Sequence, residues 1–437
     1  MDVLKLIRAD ISNKKDMYAG RRYYFYRPPN IGEVDISFIE DGEAIIKKKK
    51  VNELYVNYFK MLVTQKIDYL LSKAPSVDKN IKDISGINVF VMLDELMFNA
   101  SLDGKTWLHP YLKNNKMDYI IVKDQEIIPI YERDNKTLET IIRYYKLNDI
   151  LNVEIWTKNG VQRLQYDNTN ALMNENIESH YTTIERAGDN IEDTIDSNFD
   201  EIPFFCYENN KEVLSDVYDI ENPLYLYNSI CTGFIDNIEK FQEALLLLKG
   251  YISESKDLKN QMKIIQDVKA ISVQDGGDAS YLTVDIPVEA RIAILDILRD
   301  VIFLIGRGVD PSKLAEGSNL TNVVLKSRYI LLDFKSSDTE KRTIKFYDRF
   351  IDFAGRFYGI NFSKDITMNK TMIINESEKI ESCLKSRVTL SLRTILEQHP
   401  FVADVDEELK RIEAEKKTVV VDENINSEND TWNYIIQ

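Results

Sequence analysis

Residues 285–308, DIPVEARIAILDILRDVIFLIGRG, form the stretch on which the prediction of the fold depends. Asp285-Ile286-Pro287 is typical of a helix start, because proline fits the first helical turn. Gly306-Arg307-Gly308 is typical of a helix end. Between these two signals the apolar residues recur every three or four positions, at Val288, Ile292, Leu295, Leu298, Ile302 and Ile305. The stretch therefore predicts one long amphipathic helix.

A second long helix is predicted upstream, over about residues 222–248. Asn222 provides an N-cap and Pro223 the first helical position. At 1.5 Å per residue, roughly 26 residues would span roughly 39 Å. Its apolar face repeats in steps of three and four, at Cys231, Phe234, Ile238, Phe241, Leu245 and Leu248. The two long helices enclose a compact segment, about residues 250–286, with short strands predicted near residues 274–278.

The part of the chain before residue 222 is predicted to be an α+β domain. Helices are expected over residues 51–73 and 87–101, each with a continuous apolar face. Between residues 105 and 166 the apolar period changes to two, which indicates a small antiparallel sheet. Asn159-Gly160 within this region predicts a tight hairpin.

Two segments of this domain are predicted to lie outside its core. The first 50 residues look like an arm, because Arg27-Pro28-Pro29-Asn30 cannot continue a helix. Within the arm, Lys47 to Lys50 is expected to be a solvated helix start, with contact to a phosphate or a partner as the alternative. Residues 185–201 are acidic and poor in large apolar side chains, which predicts a mobile loop before a last strand at 202–207.

The chain after the second long helix begins with a polar connection, residues 307–319, that leads to a third helix over about 320–358. Polar residues 335–342 interrupt the apolar face of this helix, which predicts a bend or a change of register. Ser391 is expected to cap one short helix, and Asp404 to cap another in a capping box.

The composition indicates a globular chain and excludes several classes of function. The sequence has 437 residues, 44% of them hydrophobic and 29% charged, and a formal net charge of −16. A chain this acidic is not expected to coat nucleic acid over its outer surface, because phosphate binding requires clustered cations. No apolar run is long enough to span a membrane. Three widely spaced cysteines predict a reducing compartment and neither a disulfide framework nor a Cys-rich zinc site.

No pattern in the sequence predicts a catalytic, cofactor or metal site. Gly306-Arg307-Gly308 lacks the third glycine of a dinucleotide-binding site. His109 and His399 each precede a proline and have no Cys or Ser partner nearby. Asp404 and Asp406 could offer two carboxylates to a divalent ion, although helix capping explains them without an ion.

The order of these segments resembles that of the portal proteins of tailed bacteriophages, of the siphophage type found in phages of Gram-positive hosts. The resemblance covers about residues 18–416 and rests on short motifs in the family's order: YLLSKAP (69–75), DGKTWL (103–108), IIPIY (127–131), LLLKGY (246–251), TNVVLK (321–326), LSLRTIL (390–396), HPFVAD (399–404) and EELKRI (407–412). Thr321-Asn322 departs from the small Ser-Gly pair of the family. The chain is also short for the family, which suggests a trimmed crown.

The resemblance implies a portal fold with an α/β wing, long stem helices, a small α/β clip, a kinked tunnel-loop helix and a short helical crown. In this sequence the parts would be 1–221 (N-terminal arm and wing), 222–249 (stem helix), 250–286 (clip), 287–306 (second stem helix), 307–319 (tunnel loop), 320–375 (long helix and wing return), 376–416 (crown) and 417–437 (flexible acidic tail).

The function that the resemblance implies is a dodecameric ring at one capsid vertex, the channel for packaging and ejection of double-stranded DNA. The implied partners are the terminase large subunit, then the head-tail connector, together with the major capsid and scaffolding proteins and the DNA itself. Neither a membrane nor a cofactor is expected. The chain would reside in the virion, and in the host cytoplasm during assembly. Its acidic charge suits a channel wall that must not hold phosphates.

The resemblance also assigns residues to the parts. The tunnel loop facing DNA would include Asp310, Ser312, Lys313, Leu314, Glu316, Ser318 and Asn319, with Lys313 as a transient phosphate contact. Docking of terminase and connector would use the clip residues Lys269, Asp275 and Asp278. Subunit packing in the stem would use Phe234, Ile238 and Phe241.

Two other functions remain alternatives at the level of the sequence. A non-viral helical scaffold or adaptor protein would form a stable monomer or dimer, whereas a portal forms a ring with an axial hole. Metal-assisted hydrolysis through Asp404 and Asp406 would require turnover that depends on a metal ion.

Overall fold

The computed structural model combines helices with antiparallel sheets, which confirms the α+β class. It describes residues 2–14, 19–25, 33–40, 43–50, 54–134, 136–167, 170–172, 176–187, 190–241, 245–249, 278–282, 288–314, 321–370, 376–402 and 404–423. The chain divides into two compact units. The larger unit comprises Met1–Asp310 and Leu331–Lys370, and the smaller unit comprises Pro311–Ile330 and Thr371–Gln437.

The described helices are α1 (Val3–Asn13), α2 (Ala19–Phe25), α3 (Tyr58–Leu71), α4 (Lys79–Ser85), α5 (Val89–Asp103), α6 (Glu221–Phe241), α7 (Val288–Ile305), α8 (Pro311–Leu314), α9 (Asn322–Tyr358), α10 (Glu376–Lys385), α11 (Leu392–Gln398) and α12 (Val405–Glu423). The described strands are β1 (Glu33–Glu40), β2 (Glu43–Lys50), β3 (Lys105–Lys113), β4 (Lys116–Lys123), β5 (Ile127–Tyr131), β6 (Leu138–Leu147), β7 (Ile150–Thr157), β8 (Gly160–Asp167), β9 (Asn170–Leu172), β10 (Ile177–Glu178), β11 (Tyr181–Ala187), β12 (Asn190–Ser197), β13 (Phe205–Glu208), β14 (Leu245–Lys249) and β15 (Asp278–Leu282).

Two antiparallel sheets form the β part of the larger unit. One has the strand order β13-β3-β4, and the other has the order β10-β8-β7-β6-β5, with β9 paired to β8. The predicted hairpin at Asn159-Gly160 is confirmed, with its turn one residue earlier, because Thr157 pairs with Gly160. Three further strand pairs, β1-β2, β11-β12 and β14-β15, form two-stranded antiparallel sheets.

The main core of the larger unit lies where helices α3, α5 and α9 pack on the sheet that contains β3 and β13. Its members include side chains that are fully buried, namely Phe59, Leu70, Met92, Leu93, Leu96, Leu108, Tyr207, Tyr347 and Phe350. The predicted helices at 51–73 and 87–101 are confirmed, but α3 begins only at Tyr58, where Asn57 accepts a hydrogen bond from the Lys60 amide. The predicted apolar faces thus form one shared core.

The prediction that the first 50 residues form an arm outside the core is wrong for α1 and α2. Ile7 is buried in a cluster with strands β6 and β7, and Tyr23 belongs to the main core. The ammonium group of Lys14 donates to the Asp124 carbonyl at 2.8 Å. Gly20 lies so close to α5 that an added Cβ would stand 1.9 Å from the Leu102 carbonyl oxygen. Both helices are therefore integral parts of the larger unit.

Two predicted irregular segments are strands instead. Lys47 to Lys50 is not a helix start, because it forms the end of β2 and lies opposite residues 33–36 of β1. The backbone register places Glu33 opposite Lys50 and Asp35 opposite Lys48. The predicted mobile loop at 185–201 contains the end of β11 and all of β12.

A side-chain bridge helps to explain why the β11-β12 hairpin forms despite its acidic composition. The side-chain Nδ2 of Asn115 donates to the Ile184 carbonyl at 2.6 Å, and its side-chain Oδ1 accepts from the Ile184 backbone N–H at 2.8 Å. Asn115 thereby pairs with β11 as a neighbouring strand would. Tyr181 and Phe199 at the base of the hairpin also contact Phe357.

The third long helix is confirmed as α9, which runs over 37 residues without interruption. The polar residues at 335–342 continue its buried side, because Ser336, Thr339 and Thr343 are buried. The hydroxyl of Thr343 donates to the Thr339 carbonyl at 2.9 Å, so its polar atom is satisfied within the helix. The predicted bend stays a prediction.

The smaller unit contains α10, α11 and α12, and both predicted caps are confirmed there. Ser391 accepts from the Thr394 amide at 3.3 Å. Asp404 accepts from the amides of Asp406 and Glu407 at 2.9 and 3.0 Å.

Candidate functional site

The two predicted stem helices correspond to α6 and α7, which pack against each other in the larger unit. The Arg291 guanidinium on α7 lies 5.3 Å from the centre of the half-buried Phe234 ring on α6. The base of α6 is fixed by Asn228, whose side chain accepts from the Val56 amide at 2.7 Å. Ile238 and Phe241 also belong to α6, but their side chains lie outside the described part.

The first stem helix ends earlier than predicted. Helix α6 extends only to Phe241, and Leu245–Lys249 forms strand β14, which pairs with β15. Leu245 and Leu248, predicted on the apolar helix face, therefore lie in a strand. Four consecutive leucines satisfy a buried strand as well as a buried helix, so periodicity could not separate the two structures.

Helix α7 exposes several apolar side chains in the single chain. The predicted face is partly correct, because Ile302 is buried and Leu295 and Leu298 are half-buried. A stripe of side chains that are each 41–62% exposed consists of Ile294, Ile297, Leu304 and Ile305, the last of which belongs to the predicted face. At 3.6 residues per turn these four residues lie within roughly 100° of the helix circumference. We call them the α7 stripe.

The end of α7 has the hydrogen bonds of a Schellman motif. The Gly308 amide donates to the Phe303 carbonyl at 3.0 Å, and the Arg307 amide donates to the Leu304 carbonyl at 3.3 Å. Arg307 takes the left-handed conformation, with φ = 55°. A Cβ at Gly308 would lie 2.0 Å from a Leu62 methyl group, so glycine lets this residue pack directly on α3 without displacing that side chain. The predicted helix stop is confirmed.

The predicted tunnel-loop residues fall into three groups. Asp310 is buried in the larger unit and pairs with Arg299 at 3.2 Å. Ser312, Lys313 and Leu314 form most of α8 in the smaller unit, where the first two are exposed and Leu314 is half-buried. Glu316, Ser318 and Asn319 lie outside the described residues. The structure thus separates Asp310 from the exposed part of the connection.

The predicted clip is described only at its two ends. Asp278 begins strand β15 and lies opposite Lys249 of β14, so the two ends of the segment are joined by antiparallel strand pairing. Lys269 and Asp275 lie outside the described residues.

A buried polar cluster near the end of α7 was not predicted. The Lys66 ammonium on α3 donates to Asp216 at 2.6 Å and to Asn209 at 2.7 Å, and Lys335 of α9 lies 3.4 Å from the same Asp216 oxygen. Burial lowers the pKa of Lys66 to about 8. Burial alone would raise the pKa of Asp216, but the two lysines outweigh it and hold that pKa below its usual range. One signal was visible: Lys66 lies between Leu62 and Leu70, on the apolar face of its helix.

The residues weighed for catalysis or metal binding have structural contacts. Asp404 is occupied as a helix cap, and Asp406 pairs with Arg393 at 3.0 Å. His109 stacks on Phe204 at 4.3 Å, and burial lowers its pKa to about 3. Within the described ranges, no group of three or more His, Cys, Asp and Glu residues could hold a metal ion. None of the described helices is both long and apolar enough to cross a membrane.

Comparison with known proteins identifies the family. Residues 4–421 match the family described as "Phage portal protein, SPP1 Gp6-like". The portal protein of Clostridium phage phiCD119 is 26% identical over 442 residues, covering 94% of this chain and 95% of that protein. The portal protein of Bacillus phage SPP1 is 25% identical over 443 residues, covering 94% of this chain and 86% of that protein. Because the match spans nearly the whole sequence, the chain belongs to the SPP1 Gp6-like family of phage portal proteins.

Proposed function

We propose that twelve copies of this chain form a ring at one vertex of a phage capsid, through which double-stranded DNA is packaged and later ejected. The observation that carries the proposal is the family match over residues 4–421. Membership in a phage portal family makes the chain a component of the phage particle. Before assembly it would reside in the host cytoplasm.

The α7 stripe supports assembly into a ring. Exposed apolar side chains at helical spacing favour contact with another apolar surface, since burial contributes about 25 cal/mol per Å². In a closed ring each subunit offers the same two surfaces to its two neighbours. We therefore assign the α7 stripe, with Phe234, Ile238 and Phe241 of α6, to the subunit interface of the stem.

The connection between α7 and α9 is proposed to be the tunnel loop that faces DNA. Ser312 and Lys313 are exposed, which suits transient contact with passing phosphates. Lys313 is the proposed phosphate contact, and Glu316, Ser318 and Asn319 would complete the loop. A channel of otherwise acidic subunits would hold DNA weakly, because each subunit carries a formal net charge of −16 and would repel phosphates.

Deleting residues 313–319 should leave the ring intact and lower the DNA content of the particles. The deletion shortens a connection whose base, at 306–310, is held by the larger unit, so folding of that unit should persist. DNA content is measured by quantitative extraction from purified particles. A variant with the same seven positions changed to glycine and serine keeps the length and isolates the contribution of the side chains. Normal DNA content in the deletion particles would contradict the assignment of the tunnel loop.

The clip is proposed to dock the terminase large subunit first and the head-tail connector later. It lies between the two stem helices in sequence, so it would project from one end of the ring. Its mixed charge, including Lys269, Asp275 and Asp278, suits partners that exchange, because polar interfaces release more readily than large apolar ones. Contacts with capsid and scaffolding proteins would lie elsewhere on the ring.

The proposed function contains no catalytic step, cofactor or metal ion in this chain. The energy for moving DNA would come from the docked motor.

A further inference from the structure

A buried junction joins three separate parts of the larger unit. Asp216 lies in the segment between β13 and α6, Lys66 on α3 and Lys335 on α9. Both ammonium groups lie within 3.4 Å of the same Asp216 oxygen. The Lys335 ammonium also donates to the Gly306 carbonyl at 3.1 Å. Gly306 directly follows the last residue of α7, so Lys335 connects the end of the second stem helix to the long helix.

The charges in this junction explain why the Lys335 ammonium group contacts the Gly306 carbonyl as well as Asp216. Lys66 and Lys335 bring two positive charges to one carboxylate, so Asp216 alone does not balance them. The C-terminal carbonyl groups of a helix carry partial negative charge and stabilise a nearby cation. The Gly306 carbonyl therefore supplies the second acceptor for Lys335. A buried arrangement of this kind gains little stability, and its best-attested use is to fix one geometry.

Other contacts hold the residues that follow Gly306. The Gln65 side chain accepts from the Val309 amide at 3.0 Å and donates to the Val309 carbonyl at 2.7 Å. Asp310 pairs with Arg299 of α7. The larger unit, as divided by its contacts, ends at this same Asp310. Residues 306–310 are thus attached by backbone and side chains to the helices on which they pack.

We propose that Lys335 acts as a latch, which fastens the end of α7 to α9 and Asp216 and so holds residues 306–310 fixed on the larger unit. Residues 306–310 then form a fixed base, which ends where this part of the larger unit ends, at Asp310. Any role of this latch in the passage of DNA rests on the proposed function. The latch itself is a property of the larger unit and is tested without DNA.

Hydrogen–deuterium exchange of the full chain tests the latch directly. The amides of residues 306–309 are all hydrogen-bonded, and they should exchange slowly in the unmodified chain. Lys335→Met keeps the length of the side chain but removes the bond to Gly306, so exchange of these amides should rise about 10- to 100-fold. Lys341→Met, at an exposed lysine on the same helix, should change nothing. Lys335→Arg keeps the charge and should restore slow exchange.

Unchanged exchange at 306–309 in Lys335→Met would overturn the latch, as would an arginine variant that exchanges as fast as the methionine variant. If Lys335→Met does not fold, Gln65→Ala gives the answer, because it removes two bonds to Val309 without leaving a buried charge. The Val309 amide should then exchange faster while 306–308, held by Lys335, stay slow. If the amides of residues 306–309 all exchanged equally faster in Gln65→Ala, then Gln65 and not Lys335 would hold these residues in place. That result would contradict the latch. A chain that forms no ring would refute the proposed function but leave this result valid.

Discussion

Ile297→Asp should abolish ring assembly while leaving a folded, helical monomer. Ile297 is 62% exposed in the single chain, so aspartate is tolerated there without a neighbour. In the ring the same position would be covered by an adjacent copy, and a carboxylate without a partner would be buried. Such burial costs about 2 kcal/mol or more for each interface, which lowers each association constant about 30-fold. A closed ring multiplies that loss over all its interfaces.

Native mass spectrometry measures the mass of the assembly, and circular dichroism measures the helical content of the chain. Val91→Asp is the matched control, because Val91 is an exposed apolar residue on α5 and does not belong to the stem. Phe234 is a weaker test, since its ring already contacts Arg291 within the chain. Rings of full mass in Ile297→Asp, or equal loss of rings in Val91→Asp, would contradict the assigned interface.

Arg21→Met should strongly destabilise the larger unit. The Arg21 guanidinium donates to the Asp103 carboxylate at 2.8 and 3.0 Å and to Asn99 at 2.7 Å. Asp103 is only 2% exposed, so the variant leaves a buried carboxylate without its cation. Loss of one partner of a buried pair costs about 3–5 kcal/mol. At about 2 °C for each kcal/mol, the melting temperature should fall by roughly 6–10 °C.

The pH dependence of Arg21→Met identifies the cause. Burial raises the pKa of Asp103, and Arg21 opposes that rise. Without Arg21 the pKa of Asp103 should rise further, so the folded protein binds a proton that the unfolded chain has released. Stability then falls as the pH rises through that window. The melting temperatures of the variant and the unmodified chain should therefore differ less at pH 5 than at pH 8.

Arg22→Met is the control for this prediction, because Arg22 is the exposed neighbour of Arg21 on the same helix. It should melt within about 1 °C of the unmodified chain, as surface substitutions generally do. If Arg21→Met melts like Arg22→Met at both pH values, α2 is not held by the pair with Asp103. The N-terminal segment would then be closer to the arm that the sequence suggested.

The long helices could be predicted from the sequence because their signals are local. Gly306 and Gly308 mark the end of α7, and Ser391 and Asp404 cap their helices as their residue types require. Each signal depends on backbone groups within a few residues. The same is true of the hairpin at Asn159-Gly160.

The misread segments are those where a distant partner decides the structure. Leu245 to Leu248 fits a helix or a strand, and pairing with 279–282 selects the strand. Residues 185–197 have the composition of a loop, yet Asn115, far away in sequence, bridges to Ile184. Pairing over such separations leaves no local pattern.

The candidate site shows the same limit. Lys66 on an apolar face signals a buried charge, but its partners Asp216 and Lys335 come from segments that only the folded chain brings together. Asp310 belongs by sequence to a polar connection, whereas Arg299 one helix earlier makes it part of the fixed base. The identity of the subunit interface depends on neighbouring copies, and a single sequence contains no direct record of them.

Negative-stain electron microscopy of the purified chain tests the central claim most directly. The portal assignment predicts closed rings with an axial hole and, after averaging, twelve repeated subunits. The same preparation should elute in size-exclusion chromatography at the mass of a large oligomer, since each chain contributes 50.8 kDa. A stable monomer or dimer without an axial hole would contradict the ring and favour a helical adaptor protein.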